Sequence, residues 1–251
     1  MNKYHYGWIP DRPDHRDHLY SAPIEHLTAL PSSVDLRAQC PPVYDQGNLG
    51  SCSANAVAAA IEFDQIRQKL TSFVPSRLFI YYNERAMEGT VSSDSGAQIR
   101  DGIKSVATQG VCPETEWPYI ISQFTVKPFQ QCYTDALKDR ALSYQRVARN
   151  LNQMKACLAS GLPFVIGISV YESFESEQVA QTGIVPMPQS DEQLLGGHAV
   201  LCCGYDDTQQ RFLVRNSWSD QWGMQGYFTL PYAYLLDGGL SSDFWAIKTV
   251  G

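Results

Sequence analysis

The stretch Asp45-Gln46-Gly47-Asn48-Leu49-Gly50-Ser51-Cys52-Ser53-Ala54-Asn55-Ala56 constrains this chain more than any other. Its glycines close a turn-rich segment, and an apolar-periodic run follows at once: Ala56, Val57, Ala60, Ile61, Phe63, Ile66, Leu70. That spacing predicts a helix over 52–70 whose Ala-rich first half packs closely. Glu62, Asp64, Arg67 and Lys69 suggest a solvent face on the second half. Cys52 therefore opens a helix, where unpaired N–H groups and the positive dipole end stabilise a thiolate. Gln46, six residues upstream, can return beside the sulfur. Its side-chain NH2 and the Cys52 backbone N–H would then form a pair of oxyanion donors.

A thiolate nucleophile needs a base. Of five histidines, four (His5, His15, His18, His26) lie in the first 26 residues. The fifth, His198, follows Gly196-Gly197 and begins a short apolar run ending in Gly204-Tyr205-Asp206, the pattern of a buried strand. Asn216 stands at another strand end, in Val214-Arg215-Asn216-Ser217-Trp218. There it can accept a hydrogen bond from the imidazole and fix its tautomer, the third role of a triad.

Gln46…Cys52, Gly197-His198-Ala199 and Asn216-Ser217-Trp218…Trp222-Gly223…Gly226-Tyr227 resemble, in this order, the active-site blocks of the papain family of cysteine peptidases. The Cys-to-His separation falls within the roughly 130–150 residues of such enzymes. Leu30-Pro31-Ser32-Ser33-Val34-Asp35-Leu36-Arg37 resembles the start of a mature member, and Trp117-Pro118-Tyr119 and Phe244-Trp245-Ala246-Ile247-Lys248 fit as well. The likeness runs from about Leu30 to the end. It implies Cys52 as nucleophile, His198 as base, Asn216 as orienting group, Gln46 as oxyanion donor and Trp218 as the indole shielding the Asn–His contact. It implies no metal or organic cofactor. The family's substrate-binding glycine pair aligns with Gly96 and Ala97, the Ala being tolerable at negative φ. Positions aligned with the second subsite are Ala97, Gly167, Gly197 and Ser242, small and uncharged, so an open apolar pocket for Leu, Phe or another bulky side chain is expected. Two departures stand out: Ser53 replaces the usual Trp after the nucleophile, and Leu49 replaces a bridged Cys. The missing bridge and a short N-terminal extension suggest a bacterial branch.

Helical patterns cluster early (52–70, 76–85, 99–109, then 151–158) and strand patterns late (163–170, 198–206, 211–216, 226–230, 244–249). This segregation predicts an α+β class. The resemblance implies the papain-like two-lobed fold, a helical lobe over about 45–145 and an antiparallel β-barrel-like lobe over about 146–251, with the site in the cleft between them. Residues 1–29 read as an irregular, propeptide-like segment ahead of a catalytic domain over 30–251. Prolines keep that segment out of a long helix, and Tyr4, Tyr6, Trp8 and Tyr20 suggest that it docks on a surface, covering part of its own cleft. Its four histidines lack a metal-binding spacing.

A net charge of −7 over 251 residues argues against nucleic acid or an anionic membrane as partner. No apolar run approaches the ~20 residues of a membrane-spanning helix, and no secretory signal peptide is legible, which leaves the compartment open. The expected partner is a peptide or protein substrate, and a monomer is expected. Of seven cysteines, six remain beside Cys52, and without a Cys-x-x-Cys pair they read as free, partly buried thiols rather than a zinc site. The resemblance implies a protease, with endopeptidase as the default. Two other readings stay open: acyl transfer to an amine by a transglutaminase-type enzyme, and an occluded peptide-binding module without catalysis. The residues around Trp218 disfavour the first, and the intact triad disfavours the second.

Overall fold

The structure is a computed structural model that describes residues 4–251, apart from the Glu25 side chain. Residues 1–3 of the expected N-terminal segment lie outside the described residues. In chain order the elements are β1 (Trp8–Ile9), α1 (Ile24–Thr28), β2 (Ser33–Asp35), α2 (Cys52–Arg67), α3 (Arg77–Glu88), β3 (Ala97–Gln98) and α4 (Ile99–Thr108). They continue with α5 (Gln130–Ala136), β4 (Ala141–Arg146), α6 (Leu151–Ala159), β5 (Phe164–Tyr171), α7 (Glu177–Thr182) and β6 (Leu194–Asp206). The chain closes with β7 (Arg211–Arg215), β8 (Tyr227–Pro231), α8 (Tyr232–Leu236) and β9 (Ser241–Val250).

The class is α+β. Seven strands form one sheet in the order β4-β9-β5-β6-β7-β8, with β2 added against the far end of β6. All these pairings are antiparallel. Among the described residues the path does not close on itself, so the lobe is an open curved sheet rather than a barrel. The alternation of β5 explains its position: Val165 faces the helices, while Phe164, Ile166 and Ile168 face the opposite core. On the helical side, Val165, Ala199, Leu201, Trp245 and Ile247 pack with Ala56, Val57, Ala60 and Ile61 of α2.

Local chemistry sets the helix ends. Ser76 caps α3 by accepting from the Phe79 N–H at 3.1 Å, and Gly89 ends it in the left-handed region. Asn150 caps α6 in the same way through the Gln153 N–H. The solvent face expected over 52–70 is largely missing: Glu62 and Asp64 are buried, as is Gln65, Arg67 is half-buried, and Lys69, past the end of α2, is exposed. Each of the three buried residues is held by a partner that covers that face. Tyr44 donates to Glu62, Arg67 binds Asp64 at 2.7 Å, and Gln65 receives the Phe73 N–H. A polar residue at a helical surface position thus reflects an internal network here, not water.

The N-terminal segment divides in two. Residues 17–22 are built into the body: Asp17 bridges Arg100 at 2.6 Å and Arg146 at 3.0 Å, and the Tyr20 ring is buried. Residues 4–9 instead cross the interlobe surface, where β1 pairs in parallel with β3.

Candidate active site

Cys52 is the first residue of α2, and its thiol is fully buried. Three backbone N–H groups point at the sulfur: Ser53 on its own helix, Ala199 on β6, and Gly7 of the N-terminal segment. The Ala199 contact brings the thiol to the residue adjoining His198. The imidazole is equally buried, with Nε2 2.8 Å from Asn216 Oδ1 and Nδ1 without a hydrogen bond. Asn216 Oδ1 also accepts the Ser217 N–H at 2.8 Å, which identifies this atom as the carbonyl oxygen. Nε2 therefore carries the proton, and Nδ1 keeps a free lone pair. Trp218 stacks on the imidazole with ring centres 4.8 Å apart, and Phe174 and Trp222 pack edge-on against its indole. The Asn–His hydrogen bond is thus shielded from water, which strengthens it.

Gln46 is buried beside these groups. Its Oε1 accepts from the Ser217 hydroxyl at 2.6 Å, which fixes the amide orientation and makes Nε2 the donor end. That Nε2 donates to the Leu49 carbonyl at 2.9 Å and to the His5 carbonyl at 3.1 Å. Ser217 is a site residue that sequence reading missed, since a Ser after Asn gives no signal by itself. Asp94 is another: it accepts the Gly50 N–H with both oxygens at 3.0 Å and so pins the turn before Cys52.

Residues 4–8 lie directly over these groups. Tyr4 stacks on Trp218 at 3.8 Å, and Tyr6 sits edge-on to His198 while donating to Glu175. Gly7 passes so close to Gly50 that a Cβ on it would stand 1.7 Å from the Gly50 carbonyl oxygen, so only glycine fits. The Gly7 carbonyl accepts the Ala97 N–H at 2.8 Å. Gly96 takes a positive φ of 71°, while Ala97 lies in extended β3 outside that region, as its Cβ requires.

Trp8 fills the space over Gly167 and Gly197, where added Cβ atoms would meet it at 2.0 and 2.6 Å. Ala97 stands beside Trp8 in register, and Ser242 pairs with Gly167 across the sheet. These four expected pocket residues are therefore gathered at one place. Beside these uncharged residues the Trp8 Nε1 donates to Asp243 Oδ2 at 3.1 Å. Asp243 has a left-handed φ of 59°, a local irregularity of β9 that alignment of neighbouring residues does not reveal.

Electrostatics follow from burial. Desolvation pushes the Cys52 thiol up to about 12, against the smaller opposing effect of the N–H groups. Desolvation pulls His198 down to about 4, opposed by its Asn216 hydrogen bond. The pair as seen is neutral. Among the described residues, the group of potential metal ligands within 4.8 Å of one another is Cys112, Glu116 and Cys132, which includes no residue of this site. Glu84, in α3, is a further buried acid close behind the nucleophile: it accepts the Ser53 hydroxyl at 2.6 Å, and burial holds it well above the usual carboxylate range.

A model of the papain family cysteine proteases matches residues 30–234. The crystal structure of xylellain, a cysteine protease from Xylella fastidiosa, superposes with a TM-score of 0.94 at 49% identity, covering 99% of this chain and 97% of that one. An uncharacterized peptidase C1-like protein of Acanthamoeba polyphaga mimivirus is 43% identical over 270 residues, covering 98% of this chain and 87% of the relative. Cysteine proteinase 1 of Entamoeba histolytica is 28% identical over 211 residues, which span 80% of this chain and 63% of that protein.

Proposed function

Because the chain belongs to the papain family of cysteine proteases, we propose that it hydrolyses peptide bonds through Cys52, His198 and Asn216, with Gln46 as oxyanion donor. One observation supports this reading: the Cys52 thiol at the start of α2 meets the N–H of Ala199, the neighbour of His198, whose imidazole is held by Asn216. In the reaction His198 Nδ1 takes the thiol proton and the thiolate attacks the scissile carbonyl. Gln46 Nε2 and the Cys52 N–H hold the oxyanion. His198 returns the proton to the leaving amine. It then deprotonates the water that releases the acyl group from the thioester.

Residues 4–9 act as a cover in this reading. The His5 carbonyl takes the Gln46 donor, and Trp8 takes the pocket over Gly167 and Gly197. The Gly7 N–H meets the sulfur from the cover. Substrate replaces Trp8 in the second subsite. That site favours a bulky, largely apolar side chain, and the Asp243 acceptor adds a preference for one with a donor at its tip, as in Trp. The sequence has no His-His insertion of the carboxydipeptidase kind, which supports endopeptidase action.

Fluorogenic peptides with Phe, Leu or Trp at the second position test the reading. The expected result is turnover by the chain that Cys52→Ala abolishes, with a thioester mapped to Cys52 and the acyl group passed to water. Turnover that survives Cys52→Ala, or acyl transfer only to an added amine, would overturn it.

A further inference from the structure

A buried polar network joins the loop that carries Gln46 to the start of α2, and the proposed chemistry makes no use of it. Gln46 and Ser51 belong to that loop, and Asn55 to the first turn of α2. Arg77 is the first residue of α3, and Tyr119 lies between α4 and α5. Gln46, Ser51, Asn55 and Arg77 are buried, and Tyr119 is half-buried.

The chemistry of these groups fixes the direction of their hydrogen bonds. The Gln46 backbone carbonyl only accepts, so the Tyr119 phenol gives it its one proton, at 2.9 Å. The 2.5 Å contact between the Ser51 and Tyr119 hydroxyls must then run from Ser51 to Tyr119. Asn55 Nδ2 donates in turn to Ser51 Oγ at 3.1 Å and to the Ser51 carbonyl at 2.9 Å. Arg77 Nη1 donates to Asn55 Oδ1 at 3.1 Å, which orients that amide, and to the Asp45 carbonyl at 2.9 Å. The Arg77 guanidinium also lies over the Tyr119 ring at 3.9 Å, and Glu114 holds it by two bonds of 2.8 and 2.9 Å. A charged group thus heads a chain of donors, each polarising the next, that ends on the Gln46 carbonyl.

Ser51 stands where a hydroxyl ordinarily caps a helix, yet among the described residues it caps no N–H of α2. Its hydroxyl is turned to Tyr119 instead. Departures from a local rule concentrate at functional sites, and the place of this one is specific. Gln46 carries one proposed oxyanion donor, and Ser51 adjoins Cys52, whose N–H is the other. We infer that Tyr119 is a positioning residue for the oxyanion hole. Its phenol ties the Gln46 backbone to Ser51 and so fixes how far apart the two donors stand, while Arg77 holds the ring in place. The inference rests on the reading of Gln46 and the Cys52 N–H as those donors. Ser217 already restrains the Gln46 N–H at 2.9 Å and its Oε1 at 2.6 Å, so Tyr119 restrains the remaining backbone group. Donors held in advance need not reorganise as charge develops on the substrate oxygen, so the restraint acts on rate rather than on binding.

The test is a double-mutant cycle in the full chain, reading kcat and KM for one fluorogenic peptide with Phe at the second position. Tyr119→Phe keeps the ring under Arg77 and removes only the hydroxyl. It should lower kcat about tenfold and leave KM within about twofold. Iodoacetamide labelling of Cys52 should keep its rate and pH profile, because alkylation forms no oxyanion. In a Gln46→Ala chain the same change should lower kcat by less than about twofold further, since the donor it positions is gone. Arg77→Lys keeps the charge but loses the fork and the flat stacking. It should lower kcat in the same sense and likewise lose its effect without Gln46. Equal losses from Tyr119→Phe with and without Gln46 would overturn the inference and leave Gln46 as donor intact, as would a Tyr119→Phe chain that turns over like the parent. A Gln46→Ala chain with parental kcat would instead overturn the reading of Gln46, and the inference with it.

Discussion

At Cys52 two opposite influences meet. A helix N-terminus and three N–H groups favour the thiolate, yet complete burial pushes the thiol up to about 12. Burial wins while residues 4–9 are in place. A thiol raised in this way is protonated at neutral pH, and its reactive fraction grows about tenfold per pH unit until the group titrates. Iodoacetamide labelling of Cys52 in the full chain is therefore expected to be slow at pH 7 and to climb through the alkaline range. Removing residues 1–10 restores solvent to both Cys52 and His198, and the pH at which labelling begins should fall by several units. Identical pH profiles for the two forms would contradict the electrostatic account. At Gln46, Ala replacement removes the proposed oxyanion donor and should lower kcat by about 10²–10³ with little change in KM. Ser217→Ala, which frees the Gln46 amide to turn, should lose a smaller part of the same effect.

Helix α2 presents its apolar side to the sheet and its polar side to an internal network. Glu84 is the innermost member of that network, with one oxygen on Ser53 and the other without a partner. As a neutral acid it is closely mimicked by Gln, so Glu84→Gln should preserve the melting temperature. Glu84→Ala strands the Ser53 hydroxyl and should cost about 1–3 kcal/mol, read by denaturant unfolding. Much of this element was legible beforehand. The turn-to-helix pattern located Cys52, and the apolar run located the helix within three residues of its end. The charges on its second half misled, because a residue such as Asp64 looks solvent-facing until the partner Arg67 is seen to be folded over it. His198, Asn216 and Gln46 were legible because each stands in a distinctive local pattern, and the structure brings them together. Asp243 was not, since a left-handed φ in one strand residue changes which neighbour lines the pocket. Short elements such as β1 and β3 escaped as well: two-residue strands carry no periodicity and exist only through their partner.

On the scale of the molecule, residues 4–9 pass over the residues proposed for catalysis, as a strap would. The strap is held by a few large contacts: Tyr4 on Trp218, Tyr6 on Glu175, Trp8 over Gly167 and Gly197, and Asp11 receiving the Trp245 indole N–H. Trp8→Ala removes the largest of these side chains, half-buried in its pocket, and should cost less than the ~3–5 kcal/mol of a fully buried Trp. The full-length variant should therefore cleave a peptide faster than the parent. The second half of the segment behaves as part of the body, with Asp17 and Tyr20 fixed there. Deletion beyond Tyr20 should accordingly lower stability rather than raise activity further.

The most direct measurement compares hydrolysis of one fluorogenic peptide, bearing Phe at the second position, by three proteins: the full chain, the chain lacking residues 1–10, and that truncated chain with Cys52→Ala. The account predicts a low rate, a high rate and none, in that order. A truncated form no faster than the full chain, or one still active without the Cys52 sulfur, would contradict it.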